Sequence, residues 1–317
     1  MCIKDLYQRT NKEIFYQMYS KNFFILILIS ILLAGLNAFS LRENIYNKFN
    51  VFNKTLEVAE SNGENIEEAL RSGVNVTKNN NVEEVDNVLK YDYLNLVNSI
   101  KAVNPKSTVN QTLSYMTFSF FPIIFGVFGV IVATYDRKYK MRKLNAIYDN
   151  KKIRFISKIL SLILISSVVL IITLGITYII NFFIYNNISG NPRFEPYILN
   201  NIASMGLIFK IKQVLFSLSV IFIFSIIGFI LGSILMNSTS AILVILLYNL
   251  LFPITGKYDL KNILLYEGST MFEFIGNFTP ANIIKLNSSI PYIFIFIIIV
   301  LLCVITYNIE KARTYYD

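Results

Sequence analysis

The chain of 317 residues has no histidine, no tryptophan and only two cysteines, and just 15% of it is charged. Each scarcity removes a class of chemistry. Without histidine there can be no Ser-His-Asp or Cys-His nucleophile pair, no HExxH zinc site and no imidazole proton relay. Cys2 lies in a polar N-terminal segment and Cys303 inside an apolar run, so neither a disulfide nor a metal site is expected. No G-x-x-x-x-G-K-[ST] phosphate loop occurs, because Lys106-Ser107-Thr108 lacks the preceding glycines. The chain is therefore not expected to be an enzyme or to carry a cofactor of its own. A soluble domain would carry roughly a quarter charged residues, so the shortage of charge itself points to lipid.

Hydrophobic residues make up 54% of the chain, and mean hydropathy is +0.53. A helix needs about 20 apolar residues to cross a hydrocarbon core of roughly 30 Å. Six stretches approach or exceed that length: Phe23–Leu41, Leu113–Tyr135, Phe155–Tyr185, Val214–Met236, Thr239–Ile254 and Ser289–Tyr307. Backbone in lipid must satisfy its own hydrogen bonds, so the expected fold is an all-α integral membrane protein, a bundle of six transmembrane helices. Residues 1–22 read as an N-terminal interfacial helix, with Ile3, Leu6, Tyr7, Ile14, Met18 and Tyr19 toward one side and Lys4, Arg9, Lys12 and Lys21 interspersed. The transmembrane domain then occupies 23–317. No cleavable signal peptide is expected, because the first apolar run is long enough to span and lacks an A-x-A-like exit.

Charge sets the orientation. Between Asp136 and Lys158 stand nine Lys or Arg residues against two acids. Cytoplasmic loops retain such residues, so this loop and both termini are expected in the cytosol of a multi-pass plasma-membrane protein. The net charge of +9 is concentrated in this loop. It reads as orientation and attraction to membrane lipid, not as nucleic-acid binding. Arg42–Thr112, with eight basic and ten acidic residues, becomes an extracellular insertion. That segment is too long for a bare loop. Val82, Val85, Leu89, Leu96, Ile100 and Val103 form one helical stripe, and Ile45, Phe49, Phe52 and Leu56 a second. A third short helix is expected at Ile66–Ser72, so 42–112 reads as a small helical cap.

Within the basic loop, Met141, Leu144, Ile147 and Tyr148 make an apolar ridge surrounded by Arg137, Lys138, Lys140, Arg142 and Lys143. That pattern suits docking into a groove on another protein, and equally an interfacial helix against lipid. Asn37, Thr173, Thr177, Asn181 and Asn249 are the polar positions within the apolar stretches. They are candidates either for a translocation path or for hydrogen bonds between helices. Gly228 and Gly232 form a G-x-x-x-G, a weak signal for a contact between chains. No acid or base lies deep in any of the six stretches, which argues against ion-coupled transport.

The order of parts resembles the permease subunits of ABC-2-type transporters over nearly the whole chain. The matching loop reads Asp136-Arg137-Lys138-Tyr139-Lys140-Met141-Arg142-Lys143-Leu144, closing with Lys151-Lys152-Ile153-Arg154 and Lys158. Asn277-Phe278-Thr279-Pro280 is similar to that family's re-entrant outer segment. Members often have glycine after the acidic-basic opening, where Tyr139 and Met141 stand here. The resemblance implies that Lys140, Met141, Lys143, Leu144, Ile147 and Tyr148 dock a separate cytosolic P-loop ATPase, a dimer that binds ATP and Mg. It also implies a second permease chain, either a like copy or a paralogue. The expected activity is export of an amphipathic or lipophilic cargo such as an antimicrobial or lantibiotic-like peptide or a drug. A non-transporting immunity or sensor protein that binds a peptide at its outer face has the same topology. A sodium or other small-solute ABC exporter is a further alternative. A membrane-embedded enzyme would need ionisable groups converging at membrane depth, and none is visible.

Overall fold

A computed structural model describes residues 3–79, 82–138, 150–198, 206–275, 278, 280, 283–286 and 290–313. The expected docking residues Lys140, Met141, Lys143, Leu144, Ile147 and Tyr148 lie outside these, as do Asn277 and Thr279. Apart from one short hairpin, the described elements are helices.

Helix α1 (Ile3–Tyr19) is followed by α2 (Asn22–Ser61), with Lys21 in the left-handed conformation at the corner. The 40 residues of α2 form one helix. At 1.5 Å per residue it reaches about 60 Å, twice the hydrocarbon thickness. The Ile45–Leu56 stripe is thus not a separate helix. No glycine or proline interrupts Leu41–Ile45, so the first apolar stretch simply continues into the insertion. Next come α3 (Ile66–Arg71), the antiparallel pair β1 (Val76–Asn79) and β2 (Val82–Val85), and α4 (Val88–Val103). Here the single expected stripe divides: Val82 and Val85 are strand, and the helix starts only after Asn87. The Asn87 side chain accepts from the Lys90 amide at 2.9 Å and caps it.

The second apolar stretch is broken as well. α5 (Thr108–Ser119) and α6 (Phe121–Lys138) meet at 59°. Pro122 lacks the amide that would join the two ladders, and it disfavours a helical residue before it. Beyond it lie α7 (Lys151–Ser189) and α8 (Leu207–Leu235). α8 ends on left-handed Met236, whose amide donates to Gly232 at 3.2 Å. Asn237 then caps α9 (Ser238–Leu246), giving the expected tight turn. Leu247–Leu251 widen into a π-turn ahead of Pro253. α10 (Leu260–Met271) and α11 (Ile290–Arg313) complete the order.

Among the described residues, α2, α7 and α8 are long and apolar enough to cross a membrane, and α5 with α6 makes a fourth if the bent pair is one span. Ser238–Leu251 and Ile299–Ile309 are shorter apolar helices. Phe24, Leu28, Leu32, Ile171, Phe183 and Leu215 leave their side chains exposed on these helices. Such a surface belongs in lipid, and the protein is membrane-embedded.

The bundle closes on a seam of glycines. A methyl group on Gly228 would overlap the Gly126 carbonyl, and one on Gly129 would overlap the Ser225 carbonyl. On Gly232 it would lie 2.9 Å from the Ala133 Cβ. The G-x-x-x-G of α8 therefore packs against α6 of the same chain. The complementary Gly126 and Gly129, three residues apart, were the readable sign of this. Phe121, Phe125, Phe128, Leu162, Val169, Ile221 and Phe229 fill the core around it.

A second core forms where α2 runs past the bundle. Leu41, Ile45, Phe52, Leu96, Ile100, Ile188 and Phe194 pack together, joining the far halves of α2 and α7 to α4. Phe49, Phe52, Tyr93, Phe194 and Tyr197 add edge-on and tilted ring contacts. The insertion is thus a folded, mainly helical cap on one end of the bundle. The opposite end carries α1 and the basic residues of α6 and α7.

Candidate functional site

Helix α1 turns its polar face inward. Arg9, Thr10, Glu13 and Gln17 are buried, whereas Ile3, Tyr7, Phe15, Met18 and Tyr19 are exposed. Positions 9, 13 and 17 recur every four residues and make one stripe on a helix. The stripe meets Asp136 at the end of α6 and Arg154, Ser157, Lys158 and Ser161 on the first turns of α7, all buried.

Two ion pairs organise this meeting. Lys158 Nζ lies 2.8 Å from Asp136 Oδ2, joining α7 to α6. Arg9 Nη2 lies 3.0 Å from Glu13 Oε1 along α1. On α1, burial pushes the Glu13 carboxyl up, against the pull of Lys158. The backbone fits the site, since Ser157 donates its hydroxyl to the Ile153 carbonyl at 2.7 Å and Ser161 to Lys158 at 2.8 Å. Both serines thereby bury without orphaning a donor.

The sequence reading took Asp136, Arg154 and Lys158 as loop charges and gave Glu13 no role. Their burial follows from α7 beginning at Lys151, which carries Arg154 and Lys158 into the helix. A lone acid ending one apolar run and a lone base four residues into the next, at equal depth, was the available signal. The knot ties together α1, α6 and α7, and it stands where α6 ends and α7 begins, on either side of residues 139–149.

The candidate path residues lie toward the other end. Asn37, Thr173, Thr177 and Asn181 are all buried. Thr173 donates to the Val169 carbonyl at 2.8 Å and Thr177 to the Thr173 carbonyl at 2.7 Å, so both hydroxyls are used within their own helix. Asn181 Nδ2 donates to Thr108 Oγ1 at 3.3 Å, a bond between α7 and α5. Sequence reasoning missed the partners of this layer. Gln213 Nε2 donates to Asn110 Oδ1 at 2.8 Å and to the Met271 carbonyl at 2.9 Å. Asn110 Nδ2 donates to the Glu273 carbonyl at 2.7 Å, and Thr117 and Ser217 share a hydroxyl bond of 2.8 Å.

Asn249 differs from the other four. It is half-buried on the π-turn, donates to the Ile245 carbonyl at 2.9 Å, and lines a cavity of about 540 Å³ with Phe118, Phe224, Phe252 and Lys261. The Lys261 ammonium donates to the carbonyls of Tyr248, Asn249 and Phe252, closing the π-turn onto α10. Asp259 caps α10 and accepts from Thr255 as well, so these hydrogen bonds hold its carboxyl below the ordinary value in spite of burial.

Fold and site together define a helical membrane-embedded protein with a charged knot at one end and a neutral amide layer toward the other. Comparison with family models, with curated proteins and with solved structures finds no match to this chain.

Proposed function

We propose that the chain is the membrane half of an ATP-driven exporter of the ABC-2 type, with four spans supplied by α2, α5–α6, α7 and α8 and two by the shorter helices α9 and α11. The observation that carries this reading is the Asp136–Lys158 pair at 2.8 Å, with α1 packed over it. It fastens together the two helices on either side of residues 139–149. A force applied to that loop by a cytosolic ATPase would move α6 and α7 as one body. The glycine seam would pass the motion to α8, because backbones in contact cannot slide independently. A half-transporter of this kind works with a second permease chain and a pair of ATPase subunits that bind ATP and Mg.

The cargo class in this reading is an amphipathic or lipophilic molecule, with an antimicrobial peptide preferred. Aliphatic and aromatic walls, with no charge in mid-bundle among the described residues, support that choice over a bare ion.

The test is whether a P-loop ATPase is encoded beside this gene, followed by its co-expression with the chain and affinity purification. The ATPase is expected to co-purify, and Leu144→Asp to weaken the association without changing membrane insertion. Full retention by that variant refutes the docking assignment. Labelling of an Arg142→Cys chain from outside intact cells would overturn the orientation on which the reading stands.

A further inference from the structure

Two helices break beside the same cavity. The α5–α6 corner brings Phe118, Ser119 and Pro122 to its wall, and the π-turn with the chain that follows brings Asn249, Phe252 and Pro253. Phe224 of α8 and Leu264 and Leu265 of α10 line the rest of its volume of about 540 Å³. Aromatic and aliphatic walls with a few polar groups, at that size, suit a small ligand. Interrupted backbone inside a bilayer persists only where protein covers it or a cavity borders it.

The two breaks are served differently. At the π-turn the Lys261 ammonium donates to three carbonyls, those of Tyr248, Asn249 and Phe252, so its three protons are spent. At the α5–α6 corner Pro122 has no amide to return to the Phe118 carbonyl. The Ser119 hydroxyl makes no hydrogen bond among the described residues. Asn249 spends its Nδ2 on the Ile245 carbonyl at 2.9 Å, and its Oδ1 accepts from no described residue. Among the described lining residues Lys261 is the only charged one. The cavity therefore offers oxygen acceptors and no free charge, which calls for a neutral ligand that donates a hydrogen bond. Its mouth shows where that ligand comes from. Phe252 is 56% exposed, and Leu250 and Leu251 beside it are 66% and 71% exposed. An apolar rim on a membrane-embedded chain faces acyl chains.

We infer that this cavity binds a neutral amphiphile drawn from the bilayer, an acyl chain that carries a hydroxyl donor, as a monoacylglycerol does. The chain lies against the phenylalanine walls, and the hydroxyl donates to the acceptors at Ser119 and Asn249. The ligand thus ties the broken α5–α6 span to the π-turn of α9. The site is independent of the exporter reading, because it needs only a membrane-embedded chain.

The chain has no tryptophan, so a single introduced indole reports alone. Phe252→Trp places it at the mouth of the cavity, and Leu215→Trp, at an exposed position on α8, is the reference for bulk lipid. Each full-length variant is purified into phosphatidylcholine nanodiscs. The probes are a monoacylglycerol with a dibrominated stearoyl chain and the methyl ester of the same acid, since bromine quenches indole on contact. The monoacylglycerol should quench Phe252→Trp saturably, half-maximally at a mole fraction about tenfold below that needed for Leu215→Trp. The ester, which has no donor, should need about fivefold more, as expected for one lost hydrogen bond. Ser119→Ala in the Phe252→Trp chain should weaken the monoacylglycerol by a similar factor and leave the ester unchanged, whereas a merely structural effect would weaken both. Equal dependence on mole fraction at the two reporters overturns the site. So does equal quenching by the two probes, and so does a mouth shielded from both, which would mean that protein covers it. Failure of an ATPase to co-purify would leave this result untouched.

Discussion

The two ends of the bundle bury polarity in different forms. At one end α1, α6 and α7 bring together formal charges, with Lys158 and Asp136 at 2.8 Å. Toward the other, α5, α7 and α8 meet through amides and hydroxyls alone, with Gln213 bonded to Asn110 and Asn181 to Thr108. A charged pair out of water depends on both partners, since removing one leaves the other uncompensated. An amide pair loses only the cost of an unmade hydrogen bond. The charged end should therefore be the brittle one.

The largest effect is expected at Lys158. Replacing it with methionine strands the Asp136 carboxylate and should cost about 3–5 kcal/mol, the usual penalty for half of a buried pair. Adding Asp136→Asn to that variant should restore most of the loss, read as the melting temperature of a detergent-solubilised fluorescent fusion. If the double variant is no better than the single one, the pair is not the unit that holds α6 to α7. At the amide layer, Gln213→Leu should cost less, about 1–3 kcal/mol. A loss there as large as that of Lys158→Met would erase the contrast between the ends.

The pH response sharpens the comparison, because burial pushes the Glu13 carboxyl of the knot up. Its ionisation opposes folding above the folded value, and the penalty is relieved as pH falls through it. On acidification from neutrality the melting temperature should first rise. Glu13→Gln should abolish that rise, whereas the cost of Gln213→Leu should not change with pH. A rise that survives in Glu13→Gln would move the titration elsewhere.

Which parts could be read in advance follows the same division. Apolar runs announce helices because lipid leaves the backbone no other choice, so the long helices were legible from Phe23, Phe155 and Val214 onward. Their ends were not. Arg42-Glu43-Asn44 looked like the edge of a loop, yet α2 continues through it, since helix propensity without a breaker is enough to carry the chain to Ser61. The polar stripe of α1 was present in Arg9, Glu13 and Gln17. Its burial depends on partners almost 150 residues away, which periodicity within one helix cannot supply. The glycines of α8 were seen, but the facing pair on α6 decides that they meet within one chain. The candidate path residues were identified by residue type alone, and type does not say whether a hydroxyl faces a cavity or its own helix.

That last point gives the smallest expected effect. Thr177 donates its hydroxyl to the Thr173 carbonyl at 2.7 Å and is buried. A hydroxyl bonded back into its helix competes with nothing and recognises nothing outside it. Thr177→Val keeps the shape and removes only that bond, so stability should change by less than about 1 kcal/mol. Any transport assay that responds to the ATPase partner should read the same for this variant as for the parent. Asn249→Leu, on the cavity wall at the π-turn, is the paired measurement. If Thr177→Val instead altered transport while Asn249→Leu did not, α7 would line the route and the cavity at the π-turn would not belong to it.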